Sequence, residues 1–236
     1  MSLLDTPLWE VVKGSFAAEV WDKIAPAVFE TLYMTAIASL ITLVFGLALG
    51  ILLTVTNPDG LLPLKMFYNL SGWLINILRS LPQMVMIILM IPVARVLFGK
   101  SYGTNPCMVA IAACCIPMYA RIVESSILEI SKGKIEAAKS MGSTNTQIIV
   151  RVLLPETLPS LIRGFTVAII AVLSMTALAG MFGAGGVGDI AVRFGYQRFQ
   201  HDVLFAAVYV LIALVQIIQF CGNFASKRII KKRNLI

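Results

Sequence analysis

Residues 28–55 form an unbroken apolar run with a single charge, Glu30, at its edge. As a helix this stretch would be about 42 Å long, more than enough for a hydrocarbon core of roughly 30 Å. It is too long for the core of a signal peptide, and no basic segment precedes it. It is therefore expected to stay in the bilayer. Four further apolar runs follow, at residues 64–98, 107–128, 161–182 and 203–220. Only 13% of the chain is charged and 58% is hydrophobic, with a mean hydropathy of +0.88. A soluble domain carries about 25% charged residues, so a soluble cytosolic enzyme is excluded. The same apolar content excludes a disordered chain. The fold class expected is all-α, a polytopic helical membrane protein.

The run at residues 64–98 is too long for one straight crossing and is interrupted by Arg79 and Pro82. Proline donates no backbone hydrogen bond, so a break is expected near Ser80. Two spans, or one broken span, would satisfy this segment. Charge distribution separates them. Residues 1–27 hold Asp5, Glu10, Glu19 and Asp22 against Lys13 and Lys23. The loop between the third and fourth runs holds Arg121, Lys132, Lys134, Lys139, Arg151 and Arg163, and the tail holds Lys227, Arg228, Lys231, Lys232 and Arg233. Basic loops stay in the cytoplasm, which puts loop and tail inside and the N-terminus outside. Ends on opposite sides require an odd number of spans. Five transmembrane helices is the reading taken, with six spans and an inside N-terminus as the alternative. Three regions follow: an extracytoplasmic segment 1–27, a transmembrane domain 28–222 whose cytoplasmic loop covers about 129–160, and a basic cytoplasmic tail 223–236. The net charge of +7 then reflects orientation rather than nucleic acid, since no basic surface interleaved with aromatics is present.

Within the cytoplasmic loop, residues 133–141 are helix formers apart from Gly133 and Ser140, and Gly142 suits the left-handed position that ends a helix. Thr144 and Gln147 have the spacing of a capping box, which starts a second helix. Pro155 and Pro159 are expected to punctuate the approach to the fourth span. A short helix carrying Ala137 and Ala138 buries little by itself. Its small side chains suit close approach to another surface, although an ordinary interhelical loop would read the same way.

The spacing Glu136-Ala137-Ala138, three residues, Gly142, nine residues, Val152, one residue, Leu154-Pro155 resembles the cytoplasmic loop motif of ABC importer permeases, where Val152 usually stands as Ile. Asn76-Ile77-Leu78-Arg79-Ser80-Leu81-Pro82, Ile91-Pro92-Val93-Ala94-Arg95, the segment from Gly183 to Asp189 and that from Arg193 to Phe199 resemble methionine-import permeases. The resemblance covers most of the chain from about residue 28. It implies the ABC importer permease fold in the bacterial cytoplasmic (inner) membrane, with five helices per subunit of a homodimer. It also implies two ATP-binding subunits, which hold ATP and Mg²⁺, and an extracytoplasmic methionine-binding protein, often a lipoprotein. This chain would then be no enzyme and carry no cofactor. The loop would be the coupling helix seated in the ATPase, with Glu136 as polar anchor and Gly142 as the turn. ABC import of another amino acid or small nutrient is the alternative. An ion-driven carrier ranks below it, because no spaced carboxylates lie mid-membrane.

Arg79, Pro82, Ser174, Met175 and Thr176 are polar or kink-forming positions at membrane depth, where such residues must face protein or a cavity. They are the candidates for the translocation path. Gln83 follows the Arg-Ser-Leu-Pro stretch where relatives tend to have Phe, and Ser174-Met175-Thr176 stands where Gly-Tyr-Ser is frequent. Gly183, Gly185, Gly186 and Gly188, with Asp189, are candidates for a gate or outer loop. They read equally as an anion nest, a hinge, or sites of close backbone packing. Asp189 and Arg193 would lie on the outer face, as a docking point or an exposed ion pair. Residues 94–101 match a relaxed phosphate-loop pattern, but Val96, Leu97 and Phe98 fill the positions that glycines should hold. His201 stands alone, so no metal site is expected. Cys107, Cys114, Cys115 and Cys221 form no C-x-x-C pair and read as small apolar residues. The 11 methionines say nothing about cargo.

Overall fold

The computed structural model describes residues 8–233, and among these every regular element is helical. The helices are α1 (Leu8–Gly14), α2 (Ala18–Thr56), α3 (Lys65–Ser80), α4 (Gln83–Phe98), α5 (Thr104–Leu128), α6 (Lys132–Ser140), α7 (Asn145–Ile148), α8 (Leu154–Gly180), α9 (Gly186–Ile190) and α10 (His201–Arg233). Two π-helical stretches, Ile149–Leu153 and Ala191–Tyr196, follow α7 and α9. Four helical runs are long and apolar enough to cross a membrane: Ala18–Thr56, Thr104–Leu128, Asn145–Gly180 and His201–Lys232. The pair α3 and α4, bent by 110°, makes a fifth if it is one broken span. Leu81 and Pro82 are extended at this break, with ψ of 134° at both. The sequence placed the interruption there.

The described residues form two compact units. Residues up to Leu40, with Pro82–Cys114 and Ile169–Ile218, make the first. Ile41–Leu81, Cys115–Ala168 and the residues from Gln219 onward make the second. In the first, Val20, Ile24 and Ala27 pack with Val187, Ile190, Val203, Ala206, Ala207 and Val210. Helix α2 starts at Ala18, ahead of residue 28 where the transmembrane domain is expected to begin, and runs on through Pro26. The reason is the stripe Val20, Ile24, Ala27, Thr31, Met34, every member buried, at the three-and-four spacing of one helix face. Gly188 lies so close to α8 that a methyl there would sit 2.8 Å from the carbonyl carbon of Ala177, and one at Gly180 would sit 2.7 Å from that of Gly188. Backbone meets backbone at this contact.

In the second unit, Tyr119, Val123, Ile127, Ala138, Ile148, Leu153, Leu161 and Ala168 form the core. Gly46 and Gly50 bring α2 against α5, the nearest atoms to an added methyl being Tyr119 Cδ1 at 2.8 Å for Gly46 and Val123 Cβ at 2.5 Å for Gly50. The turn expected at Asn57-Pro58-Asp59-Gly60 is present. The Asp59 N–H donates to Asn57 Oδ1 at 3.0 Å and the Gly60 N–H to the Asn57 carbonyl at 2.8 Å.

One expectation fails in this unit. The fourth span is not set apart by Pro155 and Pro159, for helix continues from Asn145 to Gly180. A proline ring clashes with the carbonyl four residues earlier, here Arg151. That residue lies in the π stretch Ile149–Leu153, whose wider turn relieves the clash. The basic segment from residue 223 is helical as far as Arg233, the end of α10. Ser226 accepts from Arg163 Nε at 3.0 Å and donates to the Pro159 carbonyl at 3.1 Å, which holds the basic end of α10 on α8. Gly222 sits against Thr166, whose Cβ would be 2.7 Å from an added methyl. Gly222→Val is therefore expected to lower the melting temperature of the detergent-solubilised chain, at an overpacking cost of about 1–3 kcal/mol. Differential scanning fluorimetry checks this, with Gly222→Ala falling between.

Large apolar side chains also cover the exterior. Phe29, Leu40, Val44, Phe45 and Leu52 of α2 and Met66, Leu70 and Trp73 of α3 are all exposed. A water-soluble monomer does not present such a surface.

Candidate functional site

The motif residues form a sharp corner closed by two sets of local hydrogen bonds. At the end of α6, Gly142 adopts φ +78°. Its N–H donates to the Lys139 carbonyl at 2.9 Å, and the Ser143 N–H donates to that of Ala138 at 3.1 Å. This paired arrangement is the Schellman closure, which requires a left-handed residue at the glycine position. One residue later the next helix begins with the expected capping box. Thr144 Oγ1 accepts from the Gln147 N–H at 3.3 Å, and Gln147 Oε1 accepts from the Thr144 N–H at 2.9 Å. Thr144→Ala removes one of these bonds and is expected to cost about 1 kcal/mol. Faster backbone amide exchange at residues 145–148, with the rest of the bundle unchanged, is the readout.

The corner has an inner and an outer face. Ala138 and Ile148 are buried and Ile135 is half-buried, so these fix α6 and α7 to the core of the second unit. Glu136, Ala137, Ser140, Met141 and Gly142 are exposed. A short helix that offers a carboxylate, small side chains and one flexible thioether is suited to insertion in a groove. Lys134 pairs with Glu156, and Lys132 with Asp59 at 3.6 Å. Val152 and Leu154 are half-buried and Pro155 is exposed at the start of α8.

The glycine-rich segment is held in the first unit by residues the sequence reading passed over. Glu30 Oε2 accepts from the Gly186 N–H at 2.7 Å, and Thr31 Oγ1 accepts from the Val187 N–H at 2.9 Å. Gly185 and Gly186 have φ +80° and +82°. A methyl on Gly185 would collide with the Glu30 carboxylate, and one on Gly186 would lie 2.6 Å from Thr31 Oγ1. Gly183 accepts through its carbonyl from the Gly103 N–H at 2.9 Å. Of these glycines only Gly188 would bring an added methyl closest to backbone, at Ala177, whereas Gly185 and Gly186 meet the Glu30 and Thr31 side chains and the nearest atom to a methyl on Gly183 is Tyr102 Cβ at 3.9 Å. Asp189 pairs with Arg193 at 2.8 Å on the same helical face. The signal that could have found this cradle was Glu30 itself, a carboxylate beside an apolar run.

The path candidates divide between the units. Pro82 and Ser174–Thr176 belong to the first, Arg79 to the second. Met175 and Thr176 are buried at 2% and 1% exposure, and Thr176 Oγ1 donates to the Leu173 carbonyl at 2.6 Å. These two side chains pack α8 within its own unit. Ser174 is exposed and donates to the Ile170 carbonyl at 3.0 Å. Arg79 is exposed in the last turn of α3.

Close to Arg79, the Arg121–Glu124 pair, three residues apart on α5, is the centre of a larger network. Arg121 donates to Glu124 Oε2 at 2.6 Å, to the Gly72 carbonyl at 3.0 Å and to Asn76 Oδ1 at 3.1 Å. The Tyr68 hydroxyl donates to Glu124 Oε1 at 3.0 Å. Glu124 is 4% exposed. Gly72 allows the approach, as an added methyl would lie 3.1 Å from the guanidinium. A clue was present in the polar positions Tyr68, Gly72, Asn76 and Arg79 at near-helical spacing on α3.

The signals discounted in the sequence have plain structural roles. Gly99 is the left-handed cap of α4 at φ +68°, its N–H donating to the Arg95 carbonyl at 2.8 Å, so residues 94–101 form no strand–loop–helix. His201 is half-buried with its ring 6.4 Å from that of Phe199. No group of three or more potential metal ligands occurs among the described residues. Cys107 and Cys115 are buried, Cys114 is half-buried and Cys221 is exposed.

An apolar exterior, four to five spans and a rigid corner presented outward on a short helix define a membrane-embedded subunit of the transport class. The chain belongs to the family of binding-protein-dependent transport system inner membrane components, which it matches over residues 46–234. It is similar to the probable D-methionine transport system permease protein MetI of Vibrio cholerae serotype O1, with 39% identity over 208 residues, covering 88% of this chain and 92% of the relative. Against the methionine import system permease protein MetP of Bacillus subtilis strain 168 the identity is 41% over 215 residues, covering 91% and 95%. Among solved structures, an inward-facing conformation of the MetNI methionine ABC transporter matches with a TM-score of 0.88 and 35% identity, over 91% of this chain and 99% of that one. A chain of an amino acid ABC transporter solved with histidines shares the fold, at a TM-score of 0.68 and 16% identity.

Proposed function

We propose that this chain is the membrane-spanning subunit of a bacterial ABC importer that moves methionine inward. The observation that carries the reading is the outer face of the corner, Glu136, Ala137, Ser140, Met141 and Gly142, exposed on a helix whose end is locked by its own hydrogen bonds. In this reading the corner is the coupling helix and enters a cleft of an ATP-hydrolysing subunit. ATP and Mg²⁺ belong to that partner, and none of the chain's own residues performs hydrolysis. Two copies of the chain enclose the path and two ATPase subunits drive them. An extracytoplasmic methionine-binding protein, in many systems a lipoprotein, delivers the cargo. The basic loop and the basic end of α10 support a cytoplasmic corner and C-terminus with the N-terminus outside.

The mechanism follows from linkage. Closure of the ATPase pair moves the two corners together. Each corner follows α5 after the short link 129–131 and leads into the Asn145–Gly180 helix on the other side, so its displacement is passed to the spans. The path switches from inward-facing to outward-facing, takes cargo from the binding protein, and returns inward when the ATPase pair reopens. The Gly180–Gly188 backbone contact and the Glu30 cradle hold the glycine segment during that displacement.

The test is uptake of labelled methionine in cells without their own high-affinity methionine importer, with the chain expressed beside its ATPase and binding protein. Uptake that needs all three chains and is competed by methionine-like compounds supports the reading. An assembled, ATP-hydrolysing complex that takes up a different nutrient sinks the methionine assignment alone. Uptake without any ATPase, abolished by an uncoupler, identifies an ion-driven carrier instead.

A further inference from the structure

One cleft in the second unit has no role in the coupling corner. It has a volume of about 600 Å³ and is lined by Tyr68, Arg79, Met118, Arg121, Ile122, Glu124, Ser125 and Leu128. Tyr68 and Arg79 are eleven residues apart, about three helical turns, so both lie on one face of α3. Met118, Arg121, Ile122, Ser125 and Leu128 recur at three- and four-residue intervals on the facing side of α5.

The charges of this cleft are arranged unequally. Arg121 is neutralised by Glu124 and fixed by Gly72 and Asn76. The Arg79 side chain forms no ion pair or hydrogen bond with any described residue. The lining therefore has one uncompensated positive charge, and it stands two residues before the break at Leu81–Pro82 in a candidate span. A charged group at such a place must face a partner or a water-filled cavity. Beside it, each oxygen of Glu124 accepts one hydrogen bond, from Tyr68 or Arg121, and keeps capacity for another. Met118, Ile122 and Leu128 add an apolar wall.

We propose that this cleft is a transit site for a zwitterionic amino acid with an unbranched apolar side chain, in which Arg79 receives the carboxylate. The proposal rests on the import function above and deepens it. Arg79 grips the carboxylate with its two-pronged guanidinium. Glu124 and the Tyr68 oxygen attract the ammonium group, and the side chain lies along Met118, Ile122 and Leu128. The Arg121 network is the frame that keeps Glu124 and α3 in register. The one net charge of the lining is that of Arg79, because Glu124 already has Arg121 as counter-ion; what Glu124 and Tyr68 offer the ammonium group is hydrogen-bond acceptors, which a lipid phosphate would leave unused.

The test uses the full complex with its ATPase and binding protein in vesicles of neutral lipid. Binding-protein capture sets KM, whereas passage through the cleft sets kcat. Arg79→Met is expected to lower kcat for methionine uptake about tenfold, the loss of one charge-assisted contact, with KM held within about twofold. Arg79→Lys keeps a cation for the end of α3 but loses the fork, so it should stay well below wild type. A diazirine analogue of methionine should label the peptide containing Met118–Leu128. Methionine should compete the label away, and methioninamide, which has no carboxylate, should not.

Wild-type kcat in Arg79→Lys overturns the proposal, since a point charge at the helix end would then suffice. Equal competition by methioninamide overturns it, because the carboxylate is not read. An effect of Arg79→Met that appears only when anionic lipid is added also overturns it and assigns the group to a lipid phosphate. Co-elution of every variant with the ATPase on size exclusion separates these outcomes from misassembly. Failure of the wild-type complex to take up methionine sinks the import reading instead, and the labelling result can still be read.

Discussion

Gly142→Val is expected to reduce methionine uptake about tenfold while insertion in the membrane is retained. No atom lies within 4 Å of a methyl group built on Gly142, so the substitution meets no steric obstacle. The cost arises in the backbone. At φ +78° a β-branched residue is strained by about 1–2 kcal/mol, and the two hydrogen bonds that close α6 depend on that conformation. A cost of that size lowers the population of the correct corner about tenfold. The order expected for position 142 is Gly, then Asn, which tolerates the left-handed region, then Ala, then Val. Uptake by the complex in proteoliposomes ranks the four, and wild-type uptake by the Val variant would remove the coupling role from this corner. Melting temperature should change little across the series, because Gly142 contributes nothing to the core.

Glu124→Leu is expected to behave in the opposite way, with a large loss of stability. The carboxylate is 4% exposed and compensates a guanidinium whose other donors reach across to α3. Its removal leaves Arg121 charged and poorly solvated, at a cost of about 3–5 kcal/mol. Arg121→Met together with Glu124→Leu should be less damaging than Glu124→Leu alone, because no uncompensated charge remains. A double-mutant cycle read by thermal denaturation in detergent should give a coupling of about 1.5–3 kcal/mol. Strict additivity would mean that the two groups do not depend on each other, which their 2.6 Å contact argues against.

These two sites also mark what could be read from the sequence. The corner was legible in outline because its hydrogen bonds span three to five residues. A glycine after a helical stretch and a Thr-x-x-Gln spacing report on their own neighbourhoods. The third span was legible for a related reason, since a run of apolar residues ends where the polar ones begin. The extension of α2 to Ala18 was missed because only one face there is apolar, and an average over all positions hides a stripe. Pro155 misled because proline was taken as a helix breaker, while the π stretch Ile149–Leu153 just before it accommodates the ring; Pro159 lies inside α8 with no such stretch before it. The network around Arg121 and the Glu30 cradle left only single residues out of place in the sequence, such as Glu30 beside an apolar run, and their partners could not be read from it. Their partners are 45 to 56 and 156 residues away, and no local pattern announces such a contact.

The corner between α6 and α7 has one more implication. Its turn is closed by hydrogen bonds among residues 137–148 alone, and Ala138 and Ile148 are the buried side chains that seat it on the core of the second unit. A part fixed by its own chemistry can be kept while the rest of a machine is rebuilt. Substitutions that alter what the bundle accepts leave the fit to the motor intact, and one motor design can then serve descendants with different diets.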